Sequence, residues 1–308
     1  MKKYLLSGLF TLTFFLTSFL LTAQTPSDAI MMKKKEICFA FVYDQGKWDQ
    51  YWEAPNLINN ENIGTFTRST YAPMIAYGIT DKLNVLLAAP FMKTKSTGGQ
   101  LAGVQGFQDI NIGVKYEVIK KDFGRHRVSA LAVAQFVTPM TNYLSDYMPY
   151  SLGLGTQELT GLVILQYEFN KMIYVRASAA YAWRGETEVE RPYYYANGSY
   201  YTTFMDVPSA VNYQAIIGGW ALKHSLRAEA TYSILNNVSG DDIRRWNMGQ
   251  PTNKMESAQA GFFVQYYFRD IKPLKDFSLM TAFSQVLKGR NVGKATNVSV
   301  GVTYQFTF

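Results

Sequence analysis

The chain has 308 residues, 48% of them hydrophobic and 15% aromatic, with a formal net charge of +7. After residue 21 no stretch approaches the ~18 consecutive apolar residues of a spanning helix, which excludes a polytopic helical membrane protein. The basic excess is scattered: it suits anionic lipid head groups and lacks the clustered patch or motif of a nucleic-acid binder.

In chain order, Lys2 and Lys3 precede an apolar-to-small run over 5–21, followed by Thr22, Ala23 and Gln24. This pattern predicts a secretory signal over 1–23, cut after Ala23, and a mature chain over 24–308. The competing reading of the run is an uncleaved anchor. No cysteine follows the cut, which argues against a lipoprotein.

Alternation at period two then predicts about twelve strands, near 36–44, 65–78, 83–92, 108–119, 126–138, 157–169, 172–184, 209–221, 224–235, 256–268, 276–287 and 296–308. Long connections (45–64, 93–107, 139–156, 185–208, 236–255 and 288–295) alternate with short ones at 80–82, 120–125, 170–171, 222–223 and 269–275. This asymmetry belongs to an all-β, antiparallel transmembrane β-barrel with loops outside and tight turns in the periplasm. A two-sheet sandwich would not require it. On the last strand Val298, Val300, Val302, Tyr304, Phe306 and Phe308 share one face, and Asn297, Ser299, Gly301, Thr303, Gln305 and Thr307 share the other. The first face suits lipid and the second a polar lumen. Tyr304, Phe306 and the terminal Phe308 resemble the signal by which barrel-assembly machinery recognises outer-membrane proteins. These features predict a bacterial outer-membrane location, with membrane lipid and lipopolysaccharide as surroundings.

Charges fall on the non-apolar face of the other strands. A charge on the lipid side near the midplane costs ~2–4 kcal/mol, so Arg68, Asp109, Lys115, Glu117, Arg176, Arg227 and Glu229 are expected to line the lumen. They form either a salt-bridge network that plugs the barrel or a polar path for a solute; in both cases opposite charges must pair.

Two motifs carry a family resemblance. The stretch Tyr77-Gly78-Ile79-Thr80-Asp81-Lys82-Leu83 is followed by Gly103-Val104-Gln105-Gly106-Phe107-Gln108-Asp109-Ile110-Asn111-Ile112-Gly113-Val114-Lys115-Tyr116. Together they resemble the meta-pathway phenol degradation family of outer-membrane proteins, with Gln108 where a glycine is usual. The resemblance covers about the first third of the mature chain. It implies a transporter-like barrel that imports small hydrophobic or aromatic solutes, and it carries over no catalytic residue.

Enzyme chemistry finds no support. His126 and His224 both fall at periplasmic strand ends, so a hydrolase at the outer rim lacks its histidine base. One cysteine and two separated histidines make no zinc site, and no cofactor motif occurs. Asp241 and Asp242, beside Arg244 and Arg245, read as a solvated turn. Aromatics concentrate in the loops, six of them in 193–204 and Tyr143, Tyr147 and Tyr150 in 139–156. They suit an interfacial rim or a self-packed cap. Residues 24–35 read as too short for a plug domain, and about twelve strands fall far below the ~22 of plugged energised transporters.

Overall fold

The computed structural model describes residues 25–244 and 249–308. The expected signal over 1–23 lies outside the described residues. Twelve strands carry the described fold: β1 Glu36–Trp48, β2 Phe66–Thr80, β3 Leu83–Ala88 continuing as Phe91–Ser96, and β4 Gln105–Phe107 continuing as Asp109–Phe123. Then follow β5 His126–Pro139, β6 Glu158–Phe169, β7 Ile173–Arg184, β8 Ala210–Ala221, β9 Leu226–Asn237, β10 Glu256–Tyr267, β11 Phe277–Arg290 and β12 Thr296–Thr307. Each pairs antiparallel with its neighbour in sequence, and β1 pairs with both β2 and β12. The sheet therefore closes into a barrel with no free edge.

Closure follows from the alternation. Along β12, Val298, Val300 and Val302 are 42–49% exposed, while Thr303 and Gln305 on the opposite face are 3% exposed. The apolar side faces outward and the polar side is interior, the inverse of a soluble barrel. Two aromatic belts bound the outer wall. One chain of rings at the periplasmic end runs Phe277–Tyr304–Phe306–Phe308, with centroids 4.7, 5.5 and 5.1 Å apart. The other, below the long loops, runs Tyr43–Tyr71–Phe91–Phe107 at 5.1, 6.5 and 5.5 Å. An apolar wall between aromatic girdles is the form a barrel takes in a bacterial outer membrane.

Three expectations need correction. Several strands run longer than expected, notably β1 to Trp48 in place of residue 44, β4 to Phe123 in place of 119 and β11 to Arg290 in place of 287. Polar residues end an apolar pattern without ending a hydrogen-bonded ladder. The strand expected over 83–92 reaches Ser96 and is interrupted at Ala89–Pro90, because proline brings no N–H to the ladder. Its carbonyl still accepts from Gln108 N at 2.9 Å, so the wall stays joined there. The long connections 45–64 and 185–208 also contain short hairpins: Gln50–Glu53 with Asn56–Asn59, Glu186–Glu188 with Phe204–Asp206, and Tyr194–Tyr195 with Ser199–Tyr200. The short connections match a tight periplasmic side. At 170–171 both residues have positive φ, +54° and +55°, the conformation of a two-residue hairpin loop that suits strand twist.

Candidate functional site

Residues 25–35, too few for a plug domain, run from the periplasmic rim into the lumen. A plug domain is unnecessary when a single extended segment meets side chains built to hold it. At the rim Lys34 N donates to Asp81 Oδ1 at 2.9 Å and Lys35 N to the Gly78 carbonyl at 2.8 Å. A Cβ on Gly78 would fall 1.9 Å from the Lys33 carbonyl oxygen, so only glycine lets the segment pass here. Gly78 and Asp81 of the Tyr-Gly-Ile-Thr-Asp stretch thus form the doorway of the plug.

Deeper in, Asn84 grips the backbone of Met32 from both sides, accepting from Met32 N at 2.9 Å and donating to its carbonyl at 3.0 Å. The Met32 side chain is fully buried with Cys38, Ala76 and Leu86. Ala29 and Met31 pack against Leu131, Val133, Leu162 and Ile164 of β5 and β6. Asp28 is the next anchor, held by Lys115, the register partner of Asn84. Its carboxylate accepts from Lys115 Nζ at 2.8 Å and from Ile30 N at 2.9 Å, and Lys115 also donates to the Thr25 carbonyl at 2.7 Å. Lys115 and Asp28 are 0% and 1% exposed, so neither charge has water to fall back on.

Beside this pair lies a cluster from β7 and β9. Arg176 donates to both oxygens of Glu229 at 3.0 and 3.1 Å, and Arg227 Nη2 donates to Glu229 Oε1 at 2.7 Å. Tyr174 O–H completes it with a 2.6 Å bond to Glu229. β8 passes between, and Gly218 clears the way: a Cβ there would meet the Tyr174 ring at 2.6 Å. Among the residues expected from sequence, Lys115, Arg176, Arg227 and Glu229 therefore gather around the plug. Glu117 pairs with Lys120 of the β4–β5 hairpin at 3.1 Å. Asp109 and Arg68 lie on inward register positions of the extracellular half, away from the cluster. Asp109 accepts a hydrogen bond from Tyr143 of the 140–157 loop.

The residues that sequence reasoning missed are the plug's partners. Asp28 is an acid in a segment read as a leader to the barrel, and Asn84 and Tyr174 carry no charge to single them out. Asp241 is another correction: it is buried and accepts from Thr252 at 2.7 Å and Asn253 at 3.1 Å, organising its loop from within. A carboxylate satisfied by side-chain donors within its own loop has no need of solvent. Asp242 pairs with Arg290 at 2.6 Å, and that hydrogen bond holds its carboxyl below the ordinary value.

Space remains on either side of residues 25–27. One cavity of about 200 Å³ is lined by Thr25, Ser27, Arg176, Arg227 and Gln265, and a second of about 310 Å³ by Pro26, Ser27, Glu158, Arg184 and Asn212. Ser27 and Gln214 border both. At the top of the second, Arg184 pairs with Glu158 at 2.7 Å and donates to the Pro208 carbonyl at 3.1 Å. A third cavity of about 550 Å³ opens between loops and is lined by Ala102, Val104, Tyr143, Leu144, Tyr147 and Leu152.

No family model and no curated protein sequence matches the chain. Among solved structures, the chain is similar to an outer membrane channel from Pseudomonas putida F1, with 12% identity, a TM-score of 0.73, and coverage of 92% of this chain and 100% of that one. Lower similarity links it to the NanC porin (9% identity, TM-score 0.44, 85% and 98% covered). The translocator domain of autotransporter NalP from Neisseria meningitidis follows at 12% identity, TM-score 0.42 and 88% coverage of each chain. The first of these likenesses shows the fold, an outer-membrane barrel.

Proposed function

We propose that the protein is an outer-membrane channel for small solutes, closed by its own residues 25–32 and opened when they leave the lumen. One observation carries the reading: the obstruction is a separate segment lying between two lumenal cavities, and the wall does not close on itself. When Asp28 departs with the plug, Lys115, Arg176 and Arg227 face Glu229 alone, an excess of positive charge on that part of the lumen wall. That wall favours anions. The resemblance to the meta-pathway phenol degradation family adds aromatic or hydrophobic solutes, and the tyrosine-lined outer groove suits a ring with a polar substituent. A small aromatic carboxylate is therefore the solute class we assign.

The competing reading is a closed structural barrel, favoured by the full burial of the Asp28–Lys115 pair. Planar-bilayer recording of the wild type and of a variant lacking residues 25–32 separates the two. Brief openings in the wild type and steady, larger conductance in the deletion are expected. Liposomes carrying the deletion should take up benzoate faster than benzylamine. Silent bilayers with both proteins would end the channel reading in favour of the structural barrel.

A further inference from the structure

The outer wall of β1 to β4 carries a cluster of lysines above its aromatic belt. Lys47 pairs in register with Thr67, and Thr67 with Lys95, so the three lie in one row across β1, β2 and β3. Lys93 lies one outward position closer to the belt, in register with Ser69. Outward parity follows from the belt itself, since Tyr43 precedes Lys47 by four residues on β1 and Phe91 precedes Lys93 by two on β3. All three lysines are exposed, and none takes part in the ion pairs of the described residues. Strands lie about 4.8 Å apart, so the Cα atoms of Lys47 and Lys95 are separated by roughly 10 Å, with Lys93 completing a triangle. No carboxylate occupies an outward position of these four strands between the belt and their extracellular ends. On the other side of the barrel, the loop after β7 carries exposed acids instead, Glu186 facing Asp206 with Glu188 beside them.

We infer that this face is a binding site for the phosphorylated sugar headgroup of lipid A, the membrane anchor of lipopolysaccharide. Four features point to that occupant. The lysines stand at the extracellular end, just beyond the aromatic belt that marks the lipid boundary. Three unpaired ammonium groups over such a span match a headgroup with more than one phosphate better than a single phosphodiester. Ser69 and Gln105 supply neutral hydrogen-bonding groups among them for sugar hydroxyls. The wall below, with Phe41, Tyr71 and Leu87 exposed, offers apolar surface to several acyl chains side by side. The inference rests on the apolar band facing the membrane and is independent of the channel reading.

The test uses the purified full-length mature protein in detergent, with binding measured for bisphosphorylated lipid A, dephosphorylated lipid A and phosphatidylglycerol. Each lysine at an anionic lipid surface contributes about a factor of five, so Lys47→Gln, Lys93→Gln and Lys95→Gln together should weaken lipid A binding about a hundredfold. Lys223→Gln at a periplasmic turn should leave it unchanged. Dephosphorylated lipid A and phosphatidylglycerol should both bind much more weakly than the bisphosphorylated form. Equal binding of any of these lipids, or unchanged affinity in the triple variant, would overturn the proposal. Should the triple variant fail to show the gel mobility of a folded barrel, the single variants decide: about fivefold losses support the site, and unchanged affinity in all three overturns it. Bilayer conductance of the triple variant is expected to match the wild type, so failure here leaves the channel reading intact.

Discussion

The two halves of the lumen use the same inward positions in different ways. In the periplasmic half the charges of the wall are tied to an inserted segment, Lys115 to Asp28 with the Arg176–Glu229–Arg227 cluster beside it. In the extracellular half inward charges are tied to loops as well as to the wall, Asp109 to Tyr143, and Arg184 both to Glu158 on β6 and to the Pro208 carbonyl of the loop before β8. The first arrangement sets the segment beside a cavity lined by Arg176, Arg227 and Glu229, and the second borders a cavity lined by Glu158 and Arg184. A charge facing a lumen is thus poor evidence of a path by itself: what matters is whether its partner belongs to the wall, to a loop or to something that can leave.

The strongest way to break this comparison is to remove the plug's charge. Asp28→Ala leaves Lys115 buried with no anion, a loss of about 3–5 kcal/mol for a fully buried pair. The barrel can relieve that cost only by admitting water, which means expelling the segment. Conductance close to that of the deletion is expected. The double variant Asp28→Asn/Lys115→Met removes both charges while keeping an oxygen acceptor for Ile30 N, and it should restore the closed state. If Asp28→Ala is as silent as the wild type, the segment is held by its apolar contacts and the ion pair is not the latch.

A smaller effect is expected from the wall. In the chain lacking residues 25–32, Arg227→Gln should shift the reversal potential under a salt gradient toward cations and reduce anion preference a few-fold. Glu229 keeps Arg176 and the Tyr174 hydroxyl as partners, so folding should survive, with a modest loss in the temperature at which gel mobility changes. An unchanged reversal potential would mean that ions pass elsewhere than along the β7–β9 wall.

The architecture was open to reading because it depends on parity alone. Each outward Val or Phe and each inward Thr, Gln or Arg of β12 and β9 follows from strand alternation, and the closed barrel follows from the long–short alternation of the connections, since no sheet edge goes unpaired in lipid. Inward-facing charges could be named for the same reason. Their partners could not, since pairing between Arg176 and Glu229 depends on which strands neighbour across β8 and on Gly218 leaving room for Tyr174. The plug was hidden for another reason: residues 25–35 have no period, and segments without period read as linkers. Two signals pointed to it in retrospect. A glycine inside a strand, Gly78, marks a close backbone approach, and an intramembrane Lys115 requires an anion, which Glu117 on the same face does not supply because it pairs with Lys120.

The smallest effect belongs to the extracellular half. Tyr143 donates to Asp109 and accepts from Gly155 N at 3.0 Å, so one ring ties the 140–157 loop both to the wall and to itself. Tyr143→Phe removes a hydrogen bond to a carboxylate, worth about 1.5–3 kcal/mol, and should speed amide exchange in that loop by tenfold or more. Amides around Met32 and Asn84 should not change, since the two halves share no hydrogen bond through this ring. Burial, with Asp109 beside it, pushes the Tyr143 phenol above its ordinary value of 10.0. A group raised in the folded state contributes fully below its unfolded value and loses that contribution as pH rises through the folded one. The clasp should therefore hold below about pH 10 and loosen only in stronger alkali, as exchange in the wild-type loop comes to match that of the Phe variant. Loosening that starts near pH 8 would show that ionisation of the Tyr143 phenol is not what opens the clasp, and loosening that spreads to the plug would show that the two halves of the lumen are coupled.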